Sequence, residues 1–239
     1  TPSKMWEKLM WLHASILKLY SIQCFCIWIC MLLSQYAKAD PLLNTDDADI
    51  VSAKHCQLES AVNRPSGSQA SYQLNTACQF IEGVESSISY TDQFVDAGKG
   101  QWSAQVKGVI QPMSQWGMAA SLQISQQNEK DKESIQWFLN IPFSLVYLNN
   151  SLHIDSNIGY QYSPRNLNLL RWSLASNLAL TPKTSVSVET YNQDQHAPLL
   201  QSAIHYSILP NILTFEASIG QRLNTFRERW FGFGLSFTP

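Results

Sequence analysis

From His55 to Phe237 apolar and polar residues alternate almost without a break. A period of two sends successive side chains to opposite faces of a strand, so such a run dictates β-sheet and decides which face is greasy. The stretch from Ile135 to Gln161 shows it most clearly. Its odd positions are apolar through Ile135, Trp137, Leu139, Ile141, Phe143, Leu145 and Tyr147. Beyond Asn149-Asn150 the phase switches to Leu152, Ile154, Ile158 and Tyr160, with His153, Asp155, Asn157, Gly159 and Gln161 between them. A tight turn between antiparallel strands produces that switch. A soluble sheet would bury the greasy face in a core. An outer-membrane barrel would set it against lipid and keep the polar face inside.

The same pattern gives about twelve strands of the length a tilted membrane strand needs. They are expected at 54–63, 70–80, 83–92, 101–111, 117–126, 135–148, 151–161, 167–180, 183–192, 201–208, 212–220 and 229–237. One face carries Leu58, Leu74, Ile88, Trp102, Val106, Leu122, Trp172, Val188, Ile204, Tyr206, Phe231, Phe233, Leu235 and Phe237. The other collects nearly every placed charge: Glu59, Glu85, Lys107, His153, Asp155, Arg171, Glu189, His205 and Glu216. Tight links at Ile81-Glu82, Asn149-Asn150, Thr181-Pro182 and Pro210-Asn211 alternate with connections such as Gln93–Gly100, Gln127–Ser134 and Asn192–Leu200, most of them longer. Short periplasmic turns and longer external loops are the habit of outer-membrane barrels, and this order sets both ends of the barrel domain in the periplasm. The expected fold is therefore all-β, a transmembrane up-and-down antiparallel β-barrel over 54–239. The nine charged residues would line its lumen. There they serve either as a path for a polar solute or as salt-bridged packing that fills a narrow barrel.

Composition removes other classes. Charged residues make up only 14% of the chain, about half the usual share. A net charge of −2 offers no basic field for nucleic acid. A mean hydropathy of −0.15 excludes a bundle of membrane helices. Residues 1–39 read as a signal peptide. Lys4, Lys8 and Lys18 precede an apolar run from Leu19 to Leu33, and Ala37-Lys38-Ala39 forms an A-x-A cleavage site before Asp40, with Met5 or Met10 as the start. Residues 40–53 follow as an acidic periplasmic segment without β period. Its Thr45-Asp46-Asp47-Ala48-Asp49 lacks the spacing and glycine of a calcium loop, so no metal is expected there.

Cys24, Cys26 and Cys30 lie in the leader. The other pair, Cys56 and Cys78, sit opposite each other across a hairpin centred near Gly67 and share a face, so a cross-strand disulfide is expected. His205 and Ser207 stand two residues apart on one face, in a pattern that resembles outer-membrane lipid A deacylases. Glu216 is the obvious third member. Plain pairing across Leu209–Asn211 sets Phe215 opposite His205 and Glu216 opposite Ile204, so an alternation that puts His205 and Glu216 on one face requires a β-bulge or a different register. The group faces the lumen rather than lipid, and a polar wall is the preferred reading over catalysis.

Pro41-Leu42-Leu43-Asn44-Thr45-Asp46-Asp47-Ala48, followed by His55-Cys56-Gln57-Leu58-Glu59, resembles the opening of the MetA-pathway of phenol degradation family of outer-membrane barrels. Ala77-Cys78 extends the likeness to the second strand. The resemblance implies an outer-membrane barrel that passes small aromatic or hydrophobic solutes. The last strand, Arg229 to Phe237, resembles the terminal signal read by the outer-membrane assembly machinery, displaced by Thr238-Pro239. The expectation is thus a passive porin-like channel in a Gram-negative outer membrane. Its partners are lipid, the assembly machinery and a small solute, and it has no cofactor and no catalytic residue. A lipid-modifying hydrolase and a structural barrel without transport are the alternatives.

Overall fold

The computed structural model describes residues 41–94, 100–129, 132–164, 168–224 and 228–239. The expected leader at 1–39 lies outside the described residues. Twelve antiparallel strands close into one barrel. They are β1 (Cys56–Pro65), β2 (Ser71–Ile81), β3 (Val84–Gln93), β4 (Gln101–Gln111), β5 (Trp116–Glu129) and β6 (Lys132–Tyr147). The second half adds β7 (Leu152–Tyr162), β8 (Leu169–Thr181), β9 (Thr184–Tyr191), β10 (Leu199–Leu209), β11 (Leu213–Arg222) and β12 (Arg229–Phe237). Each strand pairs with its neighbours in sequence, and β12 closes on β1 with Leu58 opposite Phe237 and Pro65 opposite Trp230. Closure leaves no unpaired edge.

The barrel is inside-out relative to a soluble domain. Along β10, Gln201, Ala203, His205 and Ser207 are buried while Ser202, Ile204, Tyr206 and Ile208 are exposed. The largest fully buried side chains include Glu189 and Glu216, whereas Phe231, Phe233, Leu235 and Phe237 all face outward. A core-forming sheet would reverse that distribution. Aromatic rings gather toward the ends. Tyr72, Tyr90, Phe94 and Trp102 form one group, and Trp137 packs against Tyr160 and Tyr162 near the long-loop end. Tyr147 closes β6 at the tight-turn end.

Strand ends depart from expectation where turns are built. The β6–β7 link is Leu148–Ser151 rather than Asn149-Asn150 alone, since Tyr147 pairs with Leu152. Leu148, Asn149 and Asn150 take φ of 52°, 53° and 66°, a region that suits asparagine and strains leucine. The long connection expected over 127–134 is instead strand up to Glu129 and from Lys132. The expected bulge exists. The ladder shifts between Ser207 and Leu209, which brings Glu216 directly opposite His205. Similar shifts mark the tight-turn ends of the β2–β3, β4–β5 and β8–β9 pairs.

A disulfide joins Cys56 and Cys78, which face each other in the β1–β2 ladder. The bridge spans a sequence separation of 22 residues, and chain-entropy arguments give about 3 kcal/mol for a loop of this size. The paired substitution Cys56→Ser, Cys78→Ser is expected to lower the thermal unfolding midpoint in detergent. Adding a reductant should then no longer shift that midpoint, although it lowers that of the unmodified chain.

Candidate functional site: the lumen and its N-terminal strap

Part of the inner wall on β12 is made of small residues. On β12 the sequence Phe231-Gly232-Phe233-Gly234-Leu235-Ser236 points its large side chains out and its small ones in. A Cβ at Gly234 would lie 3.1 Å from Pro41 Cγ and 3.2 Å from Leu42 Cγ, so the missing side chain is the space those residues occupy. Of residues 40–53, expected as a solvated segment below the barrel, those from 41 to 51 lie inside it. An extended segment without period carries backbone donors that must be satisfied wherever it goes, and here the inner wall accepts from the N–H groups of Asn44, Thr45, Asp46, Ala48 and Val51.

The contacts follow this strap along the lumen. Near the long-loop end Gln201 Nε2 on β10 donates to the Leu42 carbonyl at 2.7 Å. The Asn44 and Thr45 backbone N–H groups donate to the Glu189 carboxylate on β9 at 3.0–3.1 Å, and Thr45 Oγ1 donates to it at 2.9 Å. Asn157 on β7 bonds Asp46 both ways, accepting from its N–H at 2.8 Å and donating to its carbonyl at 2.6 Å. Lys107 Nζ on β4 reaches Asp46 Oδ1 at 2.8 Å and Asp47 Oδ1 at 3.3 Å. The Ala48 N–H donates to Ser144 Oγ on β6 at 2.8 Å, and that hydroxyl donates onward to Asp155 Oδ1. The Val51 N–H donates to Glu85 Oε2 on β3 at 2.8 Å, near the tight-turn end. Six strands therefore hold one short segment that the sequence pattern set outside the barrel.

Of the expected lumen residues, Glu85, Lys107 and Glu189 bond the strap, and Asp155 is linked to it through Ser144. Glu59 stays in the wall, accepting from Gln57 Nε2 at 2.7 Å and Asn75 Nδ2 at 2.9 Å. His153 is half-buried near the tight-turn end. His205 and Glu216 form a row across three strands with Ser187, not Ser207. Ser187 Oγ lies 2.8 Å from His205 Nε2, and Glu216 Oε1 lies 3.9 Å from Nδ1. The row faces the lumen, away from any lipid that a deacylase would attack. The sequence pattern set Asn157 on the polar face without singling it out and passed over Ser144 and Gln201, amides and hydroxyls that look like any polar wall until the strap arrives. Among the described residues no group of three or more His, Cys, Asp or Glu is placed to hold a metal.

At the long-loop end Arg222 holds two connections together. Its guanidinium donates to both oxygens of Asp194 at 2.7 and 3.1 Å, to Glu228, and to the Ala197 carbonyl at 2.6 Å. Burial would push the Asp194 carboxyl up, but the hydrogen bonds and charge of Arg222 win and hold it below the usual range.

Among curated proteins none matches this sequence. Solved structures do match its shape. The KdgM porin in complex with disordered oligogalacturonate superposes with a TM-score of 0.64 at 6% identity, covering 76% of this chain and 98% of that one. The NanC porin gives 0.58 at 12% identity, over 75% of this chain and 98% of its own. An active-site mutant of outer membrane phospholipase A from Escherichia coli gives 0.53 at 10% identity, over 87% and 96%. At such identities the likeness is one of fold, and porins and a hydrolase share it. The MetA-pathway of phenol degradation family, which the opening residues resemble, is not the family that the whole chain matches. Residues 28–238 fit the family described as Uncharacterised conserved protein UCP029691, and the chain belongs to that family.

Proposed function

We propose that this protein is a passive outer-membrane channel for small solutes, throttled by its own residues 41–51. The observation that carries the reading is the strap itself. A barrel of more than about eight strands is wider than its own wall side chains fill, and its lumen is left to water or solute. This one instead dedicates Lys107, Glu189, Glu85, Asn157 and Ser144 to a segment that is not part of the wall. The chain would be exported by the leader, cleaved after Ala39, and recognised by the assembly machinery through β12. The resemblance at residues 41–59 makes small aromatic molecules the first solutes to try. A lipid-modifying hydrolase is the weaker reading, because its serine and histidine face the lumen.

Planar-bilayer recording tests the proposal directly. The full chain should conduct weakly, and a variant lacking residues 41–50 should conduct several-fold more while keeping the heat-modifiable gel migration of a folded barrel. A folded strapless barrel that stays silent would make this a structural barrel.

A further inference from the structure

Two cations inside the barrel are fully paired and a third is not. Lys107 holds Asp46 and Asp47, and Arg222 holds Asp194 and Glu228. Arg171 on β8 has no carboxylate partner among the described residues. Its Nη1 reaches Gln161 Oε1 only at 3.4 Å, and its guanidinium stands 5.0 Å from the centroid of the Phe138 ring. Phe138 can lie under it because position 159, opposite Arg171 in the ladder, is glycine. A Cβ there would come within 2.5 Å of Phe138 Cε2.

Arg171 lines a cavity of about 30 Å³ together with Tyr191 and with Asn44 of the strap. Asn140 and Ser173 line it, 3% and 7% exposed, and Asn140 Oδ1 and Ser173 Oγ have no hydrogen-bond partner among the described residues. A charge without a counter-charge and two unpaired polar atoms at one place are costly until water or a ligand completes them, and a ligand that matches all three displaces water. Each also specifies what completes it. A guanidinium fork matches the two oxygens of a carboxylate. A serine hydroxyl donates to one of those oxygens, while an amide oxygen accepts only from a donor such as a hydroxyl. The volume suits the head of a molecule and not a whole solute.

We propose that this pocket is a binding subsite for small hydroxycarboxylates, with Arg171 and Ser173 on the carboxylate and Asn140 on the hydroxyl. The inference deepens the channel reading and rests on it for the solute's access. Binding is measured without conductance, so the two fail separately.

The experiment titrates the folded protein in detergent micelles with glycolate, acetate and ethylene glycol, following the amide signals of Asn140 and Ser173 by NMR. Glycolate should shift them saturably, acetate more weakly, and the uncharged ethylene glycol not at all. Arg171→Gln should weaken glycolate about tenfold or more, the scale of a lost charge-assisted hydrogen bond. Asn140→Leu should bring glycolate down to the level of acetate and leave acetate unchanged. Where the glutamine variant does not fold, Arg171→Lys keeps the charge, loses the fork, and should still weaken glycolate. The proposal is overturned by an absence of saturable shifts, by equal binding of ethylene glycol, or by a folded Arg171 variant with unchanged glycolate affinity.

Discussion

Replacing Lys107 with methionine is expected to release the strap, raising single-channel conductance several-fold and exposing residues 41–51 to protease. Lys107 is 3% exposed and its ammonium bonds Asp46 at 2.8 Å and Asp47 at 3.3 Å. Methionine fills much the same volume but leaves two carboxylates together in a poorly hydrated interior. Removing one member of a buried ion pair costs about 3–5 kcal/mol because the remaining charge stays desolvated. The barrel can avoid that cost by letting the strap go. Its own ladder is continuous around twelve strands and does not depend on the strap, whereas the strap holds on by separate side-chain contacts. The expected signature is thus an open, still heat-modifiable barrel. Unchanged conductance together with a protease-resistant N-terminal segment would show that Lys107 does not hold the plug.

The difference between what holds the barrel and what holds the strap also explains which of them could be read from the sequence. Strand pairing is local. Each strand meets the next, so alternation within about ten residues and a turn signal are enough to place it. β4 and β12 fall at the expected residues and the others end within a few of them. The bulge before Leu209 was legible for the same reason: an alternation that put both His205 and Glu216 inside could not coexist with plain pairing. The strap offers no such signal. Its partners stand 34 to 159 residues away in sequence, and Thr45-Asp46-Asp47 reads as solvated when judged by its neighbours. Two features could have found it. An inward lysine carries three donors, and the wall sets only the Glu85 carboxylate opposite Lys107. Likewise, a β12 whose inward positions are Gly232, Gly234 and Ser236 leaves room that something must fill. The Arg171 pocket was half legible. The arginine was placed inside, but the glycine that lets Phe138 lie beneath it gained meaning only from the ladder.

Placing an arginine at position 122 is expected to cost about 2–4 kcal/mol when the protein folds into lipid bilayers, the penalty for a cation on the lipid face at mid-depth. Leu122 lies halfway along β5, 46% exposed, flanked on the outer face by Val106 and Leu139 in the adjoining strands. On a soluble protein a leucine this exposed is replaceable, and surface substitutions of that kind stay within about 0.5 kcal/mol. The same change at Ile135, close to the long-loop end of β6, meets the interface instead, where the penalty falls to about 0–1 kcal/mol. Unfolding in denaturant from bilayers of defined thickness reads both values, and the gradient between them is the informative quantity. A greasy face turned toward lipid makes Leu122→Arg much worse than Ile135→Arg. A face that only rests on another protein surface gives no such dependence on depth. Equal, near-zero costs at the two positions would remove the membrane from the account and the channel with it.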